Sequence, residues 1–72
     1  MAETLNNRIR QLRFERDLTQ GGLAELVGVS RKTINTVENG VFLPSTLLGL
    51  KLARALGCTV EEIFWIGEGD KG

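Results

Sequence analysis

The chain has 72 residues, 42% of them hydrophobic and 25% charged, and its nine basic side chains balance nine acidic ones. This length fits one small domain without an enclosed substrate cavity, and the neutral balance disfavours indiscriminate binding of polyanions. No apolar run approaches the roughly 18–20 residues that span a bilayer, and MAETLNNRIR lacks a signal-peptide pattern, so we expect a cytoplasmic protein without membrane contact.

We predict that every element is helical, because no segment alternates polar and apolar residues over the length of a strand. The first helix, about residues 5–16, has Leu5, Ile9 and Leu12 at helical spacing, with Thr4 as a candidate N-cap.

The second helix, about residues 20–27, places Leu23, Leu26 and Val27 on one side and ends at Gly28. The third helix, about residues 31–39, follows a Ser30 cap.

The fourth helix covers about residues 46–56, after a Ser45 cap, and ends before Gly57. Thr59 and Glu62 have the spacing of a capping box, which predicts a short fifth helix. The five helices have short connections, which is typical of a compact all-α bundle.

The outward side of the third helix is entirely polar. If Ile34 and Val37 face the interior, the opposite side holds Arg31, Lys32, Asn35, Thr36 and Asn39. Cations at a helix start each cost up to about 0.3–1 kcal/mol, which indicates a polyanion beside them. Arginine, lysine, asparagine and threonine also match the hydrogen-bonding edges of bases in the major groove. The alternative is a solvated face without a ligand.

The segment LTQGGLAELVGVSRKTINTVENG, residues 18–40, resembles the DNA-binding domain of the Cro and phage-repressor-like helix-turn-helix family, also called the xenobiotic-response-element family. The similarity covers about residues 5–64. It implies a five-helix bundle of the lambda-repressor-like type, with the helix-turn-helix at about 20–39. We expect the domain at 1–66 and, from the segment GEGDKG, a frayed tail at 67–72. Three features depart from the family pattern: the pair Gly21-Gly22, Asp17 in place of a common glycine, and Val41 in place of a frequent cation.

The resemblance assigns roles to several residues. Gln20 and Asn39, with backbone near residues 41–42, correspond to phosphate contacts. Arg13 and Glu38 correspond to a structural ion pair, and a catalytic role for Glu38 is disfavoured because no second titratable partner is evident.

The end of the fifth helix corresponds to a two-fold interface in the family. We expect it to include Phe64, Trp65 and Ile66, with Trp65 as the anchor. The alternative is that Trp65 folds back over its own core.

These observations predict a sequence-specific transcription regulator, a homodimeric repressor that binds a roughly palindromic operator in double-stranded DNA through Arg31, Lys32, Asn35 and Thr36. Two alternatives stay open: an antitoxin that binds a partner protein, and a dimerisation module that does not bind DNA. We expect no enzyme activity, metal or cofactor, because the chain has no histidine and a single cysteine. That residue, Cys58, is a small filler or, alternatively, a redox switch.

Overall fold

The computed structural model describes residues 3–68, which form five helices and one two-stranded sheet. The elements in chain order are β1 (Glu3–Asn7), α1 (Ile9–Glu15), α2 (Gln20–Val27), α3 (Arg31–Glu38), α4 (Thr46–Leu56), α5 (Val60–Ile63) and β2 (Phe64–Glu68). The predicted bundle of five helices is confirmed, but the expectation that every element is helical is wrong, because the chain also forms this sheet. No helix within residues 3–68 has the length and hydrophobicity needed to cross a membrane.

The turn between α2 and α3 forms as the sequence predicts. Gly28 ends α2 with a φ of 88°, a left-handed conformation in which a side chain would be strained. Ser30 then caps α3, its hydroxyl accepting the amide hydrogen of Thr33 at 3.1 Å. The glycine and the serine together fix where one helix stops and the next starts.

The predicted caps of α4 and α5 are also confirmed. The Ser45 hydroxyl accepts the backbone amide of Leu48, and Gly57 ends α4 in the left-handed region. Thr59 and Glu62 form a reciprocal capping box at the start of α5.

One apolar core joins the helices. Its fully buried large side chains are Ile9, Leu23, Ile34, Leu52, Leu56, Ile63 and Val37. The prediction that Leu26 shares the inner side of α2 is wrong, because this side chain is 60% exposed while Ala24 takes the buried position. The small alanine lies on the inner side of α2, the helix that packs against α3.

The sheet corrects the predicted first helix. β1 pairs antiparallel with β2 in a register that places Leu5 opposite Ile66, and α1 begins only at Ile9. The predicted N-cap, Thr4, therefore lies within a strand. Leu5 packs against the core from that strand. Its spacing to Ile9 also fits a helical period, which is why the sequence predicted one helix for both residues. The two strands are separated by most of the chain, and no local sequence signal predicts that they pair.

The first turn of α1 is anchored by Asn7. Its side-chain oxygen accepts the Ile9 amide hydrogen at 3.1 Å, and its side-chain nitrogen donates to the Val37 carbonyl, also at 3.1 Å. This one amide fastens the start of α1 to the end of α3.

The predicted boundary between domain and tail remains a prediction. Gly67 and Glu68 belong to β2, so the strand continues past the proposed domain end at residue 66. Residues 69–72 of the predicted tail lie outside the described residues.

Candidate nucleic-acid interface

The outer surface of α3 carries the four side chains predicted to contact bases. Ile34 and Val37 are buried, which turns the opposite side of the helix outward. We call this outward side the recognition face, and it consists of Arg31, Lys32, Asn35 and Thr36. The first three are exposed and Thr36 is half-buried. The structure thus brings all four residues to one side of one helix.

The cations of the recognition face have no acidic partner in the part of the chain that the structure describes. Within residues 3–68, neither Arg31 nor Lys32 takes part in a salt bridge. The first turn of α3 also has no acidic residue, so both charges add to the positive end of the helix dipole. The start of α3 is consequently a local positive site on a chain without net charge.

The Thr36 side chain already makes a hydrogen bond within α3. Its hydroxyl donates to the Thr33 carbonyl one turn earlier, at 3.0 Å. The hydroxyl oxygen and the methyl group are still available, and a threonine methyl can contact the methyl group of thymine.

Glycine at the start of α2 leaves room for the elements around it. A Cβ at Gly22 would lie 3.2 Å from the Thr19 hydroxyl, which caps α2 by accepting the Gly22 amide. A Cβ at Gly21 would lie 3.9 Å from Cδ of Arg31, an ordinary contact. Gly22 therefore protects the cap, whereas nothing in the structure requires glycine at position 21.

Gln20 connects the recognition face to the interior. Its side-chain nitrogen donates to Glu38 Oε1 at 3.2 Å, and its side-chain oxygen accepts from the Asn35 amide at 3.5 Å. The sequence indicated Gln20 as a phosphate contact but gave no sign of this bridge. An amide nitrogen carries two hydrogens, so one remains for an outside acceptor.

Arg13 and Glu38 form a buried ion pair between α1 and α3. Their side chains are 7% and 4% exposed, and two contacts join them: Nε to Oε2 at 2.5 Å and Nη2 to Oε1 at 3.2 Å. Arg13 Nη1 also donates to the Leu18 carbonyl at 3.0 Å. With Gln20 as a third donor, the Glu38 carboxylate accepts three hydrogen bonds, which fix the end of α3 against the scaffold.

The predicted second phosphate anchor is only partly available. Asn39 is exposed at the C-cap of α3. The backbone amides of Val41 and Phe42, however, both donate to the Thr36 carbonyl, at 2.9 and 3.2 Å. Asn39 alone is therefore left with free donors at this position.

The three residues predicted at a dimer interface do not share one surface. They follow each other in β2, where successive side chains point to opposite faces. Phe64 is in the core, and Ile66 on the same face is 69% exposed. Trp65 lies on the other face, where the Arg8 guanidinium stacks over its ring at 4.8 Å. The Phe64 side chain is therefore covered by its own chain, and the place of these residues at a dimer interface stays a prediction.

Cys58 is half-buried beside Arg16 and Glu62. Burial, with a smaller contribution from the Glu62 carboxylate, raises the pKa of its thiol, and the nearby Arg16 only partly offsets this. The thiol therefore stays protonated at neutral pH, which favours the filler role over a redox role.

Known proteins share this arrangement. A helix-turn-helix family profile matches residues 9–63. The uncharacterized HTH-type transcriptional regulator YgzD of Bacillus subtilis is 38% identical over 64 residues, covering 89% of this chain and 97% of that protein.

Two solved structures superpose well. The restriction-modification controller protein C.AhdI from Aeromonas hydrophila has a TM-score of 0.72 and 39% identity, with 75% of this chain and 82% of that chain covered. The DNA-binding domain of the P22 C2 repressor has a TM-score of 0.70 and 32% identity, with coverage of 74% and 70%. Since the matched segment contains both helices of the motif and most of the chain, this protein belongs to the helix-turn-helix family of DNA-binding transcription regulators.

Proposed function

We propose that the chain is a sequence-specific repressor that binds an operator as a homodimer and reads bases with the recognition face of α3. The observation that carries the proposal is the pair of cations at the start of α3, Arg31 and Lys32, which are exposed and have no acidic partner among the described residues. A helix with such a face fits the major groove, where its N-terminal residues lie nearest the bases.

Each residue of the recognition face has a proposed partner. Arg31 and Lys32 donate to guanine, Asn35 pairs with adenine, and Thr36 contacts a thymine methyl. Among residues 3–68, the Asn35 side chain has one hydrogen bond, a contact of 3.5 Å to Gln20, so little is lost when it turns to a base.

Gln20 and Asn39 are the proposed contacts to the phosphate backbone. Gln20 keeps one amide hydrogen on Glu38 and directs the other to a phosphate, which links the DNA backbone to the scaffold through one side chain. Asn39 supplies a donor at the C-cap of α3, next to Glu38. Neither contact distinguishes bases, so both set the position of α3 in the groove.

Dimerisation follows from the size of the recognition face. One short helix reads only a few base pairs, and two copies on half-sites about one helical turn apart double that number. Repression results where such an operator overlaps a promoter, and the solved P22 C2 domain is named as part of a repressor. Such a repressor carries out no enzymatic reaction and acts where the chromosome lies, in the cytoplasm.

The test begins by selecting bound duplexes from a random DNA pool. Affinities for the selected duplex are then measured by fluorescence anisotropy for the wild type, Arg31→Ala and Lys32→Ala. Each variant should lose about 1–3 kcal/mol of binding free energy and relax base preference at one or two positions. The matched control is Arg54→Ala, which removes an exposed cation from α4.

The control should bind within twofold of the wild type. If Arg54→Ala weakens binding as much as Arg31→Ala, the effect is one of overall charge, and the proposed base contacts are wrong. If no duplex is enriched, sequence-specific binding itself is contradicted.

A further inference from the structure

Gly21 lies in the first turn of α2, against the start of α3. A Cβ at this position would have Cδ of Arg31 and the Thr19 hydroxyl as its nearest neighbours, both at 3.9 Å. Position 21 is therefore within side-chain contact of Arg31, although the two residues belong to different helices. The adjacent Gly22 makes room for the Thr19 cap, whereas the fold does not need glycine at position 21.

Glycine is an unfavourable choice for the stability of α2. It destabilises a helix relative to alanine, because glycine has more backbone freedom to lose when the chain folds. An acidic residue in the first turn would interact favourably with the helix dipole, yet the first turn of α2 has none. Helix stability alone therefore does not explain the residue at this position.

The Arg31 side chain is exposed, and within residues 3–68 it takes part in no salt bridge. Its Cδ is the atom next to position 21, and the guanidinium carbon is two bonds further along the side chain. The carboxyl carbon of a glutamate is likewise two bonds beyond Cβ. A glutamate at position 21 would therefore reach the Arg31 guanidinium without movement of either helix.

The surroundings of Arg31 offer little competition for its charge. Gln20, Gly21 and Arg31 line one surface concavity, so the guanidinium lies close to a proposed phosphate contact. Asp17 is the acidic residue on the same concavity, and its carboxylate is not within salt-bridge distance of Arg31. The guanidinium is thus free on the side from which the duplex is proposed to approach.

We propose that Gly21 is a specificity-determining position that acts through Arg31. With no side chain there, the guanidinium stays unpaired and turns to a guanine, whereas an acidic side chain would hold it against α2 as an ion pair. Gly21 is thus a positioning residue and does not itself contact a base. The proposal rests on the proposed function, in which Arg31 reads the duplex.

The test compares Gly21→Glu with Gly21→Gln, which has the same shape without the charge. The guanine read by Arg31 is first identified as the position where Arg31→Ala relaxes base preference. Gly21→Glu should lower the preference for that guanine by about two- to fivefold, the strength of an exposed ion pair, and Gly21→Gln should keep it. Both variants replace a helical glycine, so urea denaturation should show neither to be less stable than the wild type.

A carboxylate near DNA also repels phosphates, and the Arg31→Ala background separates this effect from pairing. Repulsion weakens binding to every duplex and persists without Arg31, whereas pairing depends on the guanidinium. Gly21→Glu should therefore change base preference in the wild-type background and leave it unchanged in Arg31→Ala. Equal relaxation of base preference by Gly21→Gln, or unchanged preference in Gly21→Glu, would overturn the proposal.

A measurement without DNA distinguishes this proposal from the proposed function. In Gly21→Glu, nuclear magnetic resonance should show the introduced carboxyl with a pKa below the ordinary range for glutamate, and Arg31→Ala should raise that pKa again. A pKa that does not respond to Arg31→Ala, in a chain that enriches a duplex, overturns the contact and leaves the proposed function intact. A pKa that does respond, in a chain that enriches no duplex, supports the contact and contradicts the proposed function.

Discussion

Asp17 is the only non-glycine residue among residues 3–68 with a positive φ, at 56°. It follows α1 in a tight reversal, in which the Leu18 amide donates back to the Arg13 carbonyl at 2.9 Å. Aspartate tolerates this left-handed conformation better than most residues, but glycine has no Cβ to strain. The departure from the family pattern noted at this position therefore carries a cost in stability.

Asp17→Gly should raise the free energy of unfolding by about 0.5–1 kcal/mol, because relief of strain outweighs the added freedom of the unfolded chain. Asp17→Val should lower it, since a β-branched residue is strained further in this region. Urea denaturation followed by circular dichroism measures both. A glycine variant less stable than the wild type would contradict the account of this turn.

At the scale of elements, α3 is held at its far end from two directions. Asn7 donates to its last carbonyls, and Glu38 is buried against Arg13 and Gln20. A rigid end matters because base contacts require side chains placed to within a fraction of an ångström.

Removing Glu38 should therefore be costly. Glu38→Ala leaves Arg13 buried without its counter-charge, and we expect a loss of about 3–5 kcal/mol in unfolding free energy. Glu15→Ala is the control, since Glu15 is paired with Arg16 at 3.5 Å on an exposed surface, where a pair is worth about 0–1 kcal/mol. Urea midpoints of the two variants give the comparison. Equal losses would mean that the buried pair does not fix α3.

The helices and strands also differ in how well the sequence alone predicts them. The bounds of α2 to α5 were predictable within a residue or two, because these helices have local sequence signals at their ends. The signals are N-caps such as Ser30 and Ser45 and terminal glycines such as Gly28. β1 and β2 were missed because each is only five residues long and its partner is distant in the chain. The period of α1 could not reveal Leu5 as a strand residue, since helix and strand spacing coincide over so short a run.

For the candidate site, too, the sequence predicted some features and not others. The outward set on α3 follows from the burial of Ile34 and Val37, which a helical period predicts. The bridge from Asn35 through Gln20 to Glu38 was not predictable, because it depends on the crossing of α2 and α3. That Trp65 and Ile66 point to opposite faces was not predicted, because strand β2 was not predicted. Successive side chains alternate between the two faces of a strand, whereas side chains on a helix follow a period of 3.6 residues.

At the scale of the whole molecule, the net charge is zero, but the charged residues are distributed unevenly along the chain. The acidic residues do not occur in the first turn of α2 or of α3, the two helix starts assigned to DNA. A neutral chain can therefore bind a polyanion through one local surface.

This distribution predicts a strong dependence on salt. The logarithm of the affinity for the selected duplex should fall linearly with the logarithm of salt concentration, by about 0.9 for each phosphate neutralised. Anisotropy titrations from low to high potassium chloride give the slope. A slope near zero would show that the cations at the start of α3 displace no counterions from the duplex, and it would contradict the placement of Arg31 and Lys32 against DNA.

The most direct test of the central claim is to map the DNA contact surface by nuclear magnetic resonance on the isotopically labelled chain. Adding the selected duplex should shift the amide and side-chain signals of Gln20, Arg31, Lys32, Asn35 and Asn39, and leave the outer surface of α4 unchanged. Shifts confined to α4, α5 or β2, with the recognition face of α3 unaffected, would contradict the account.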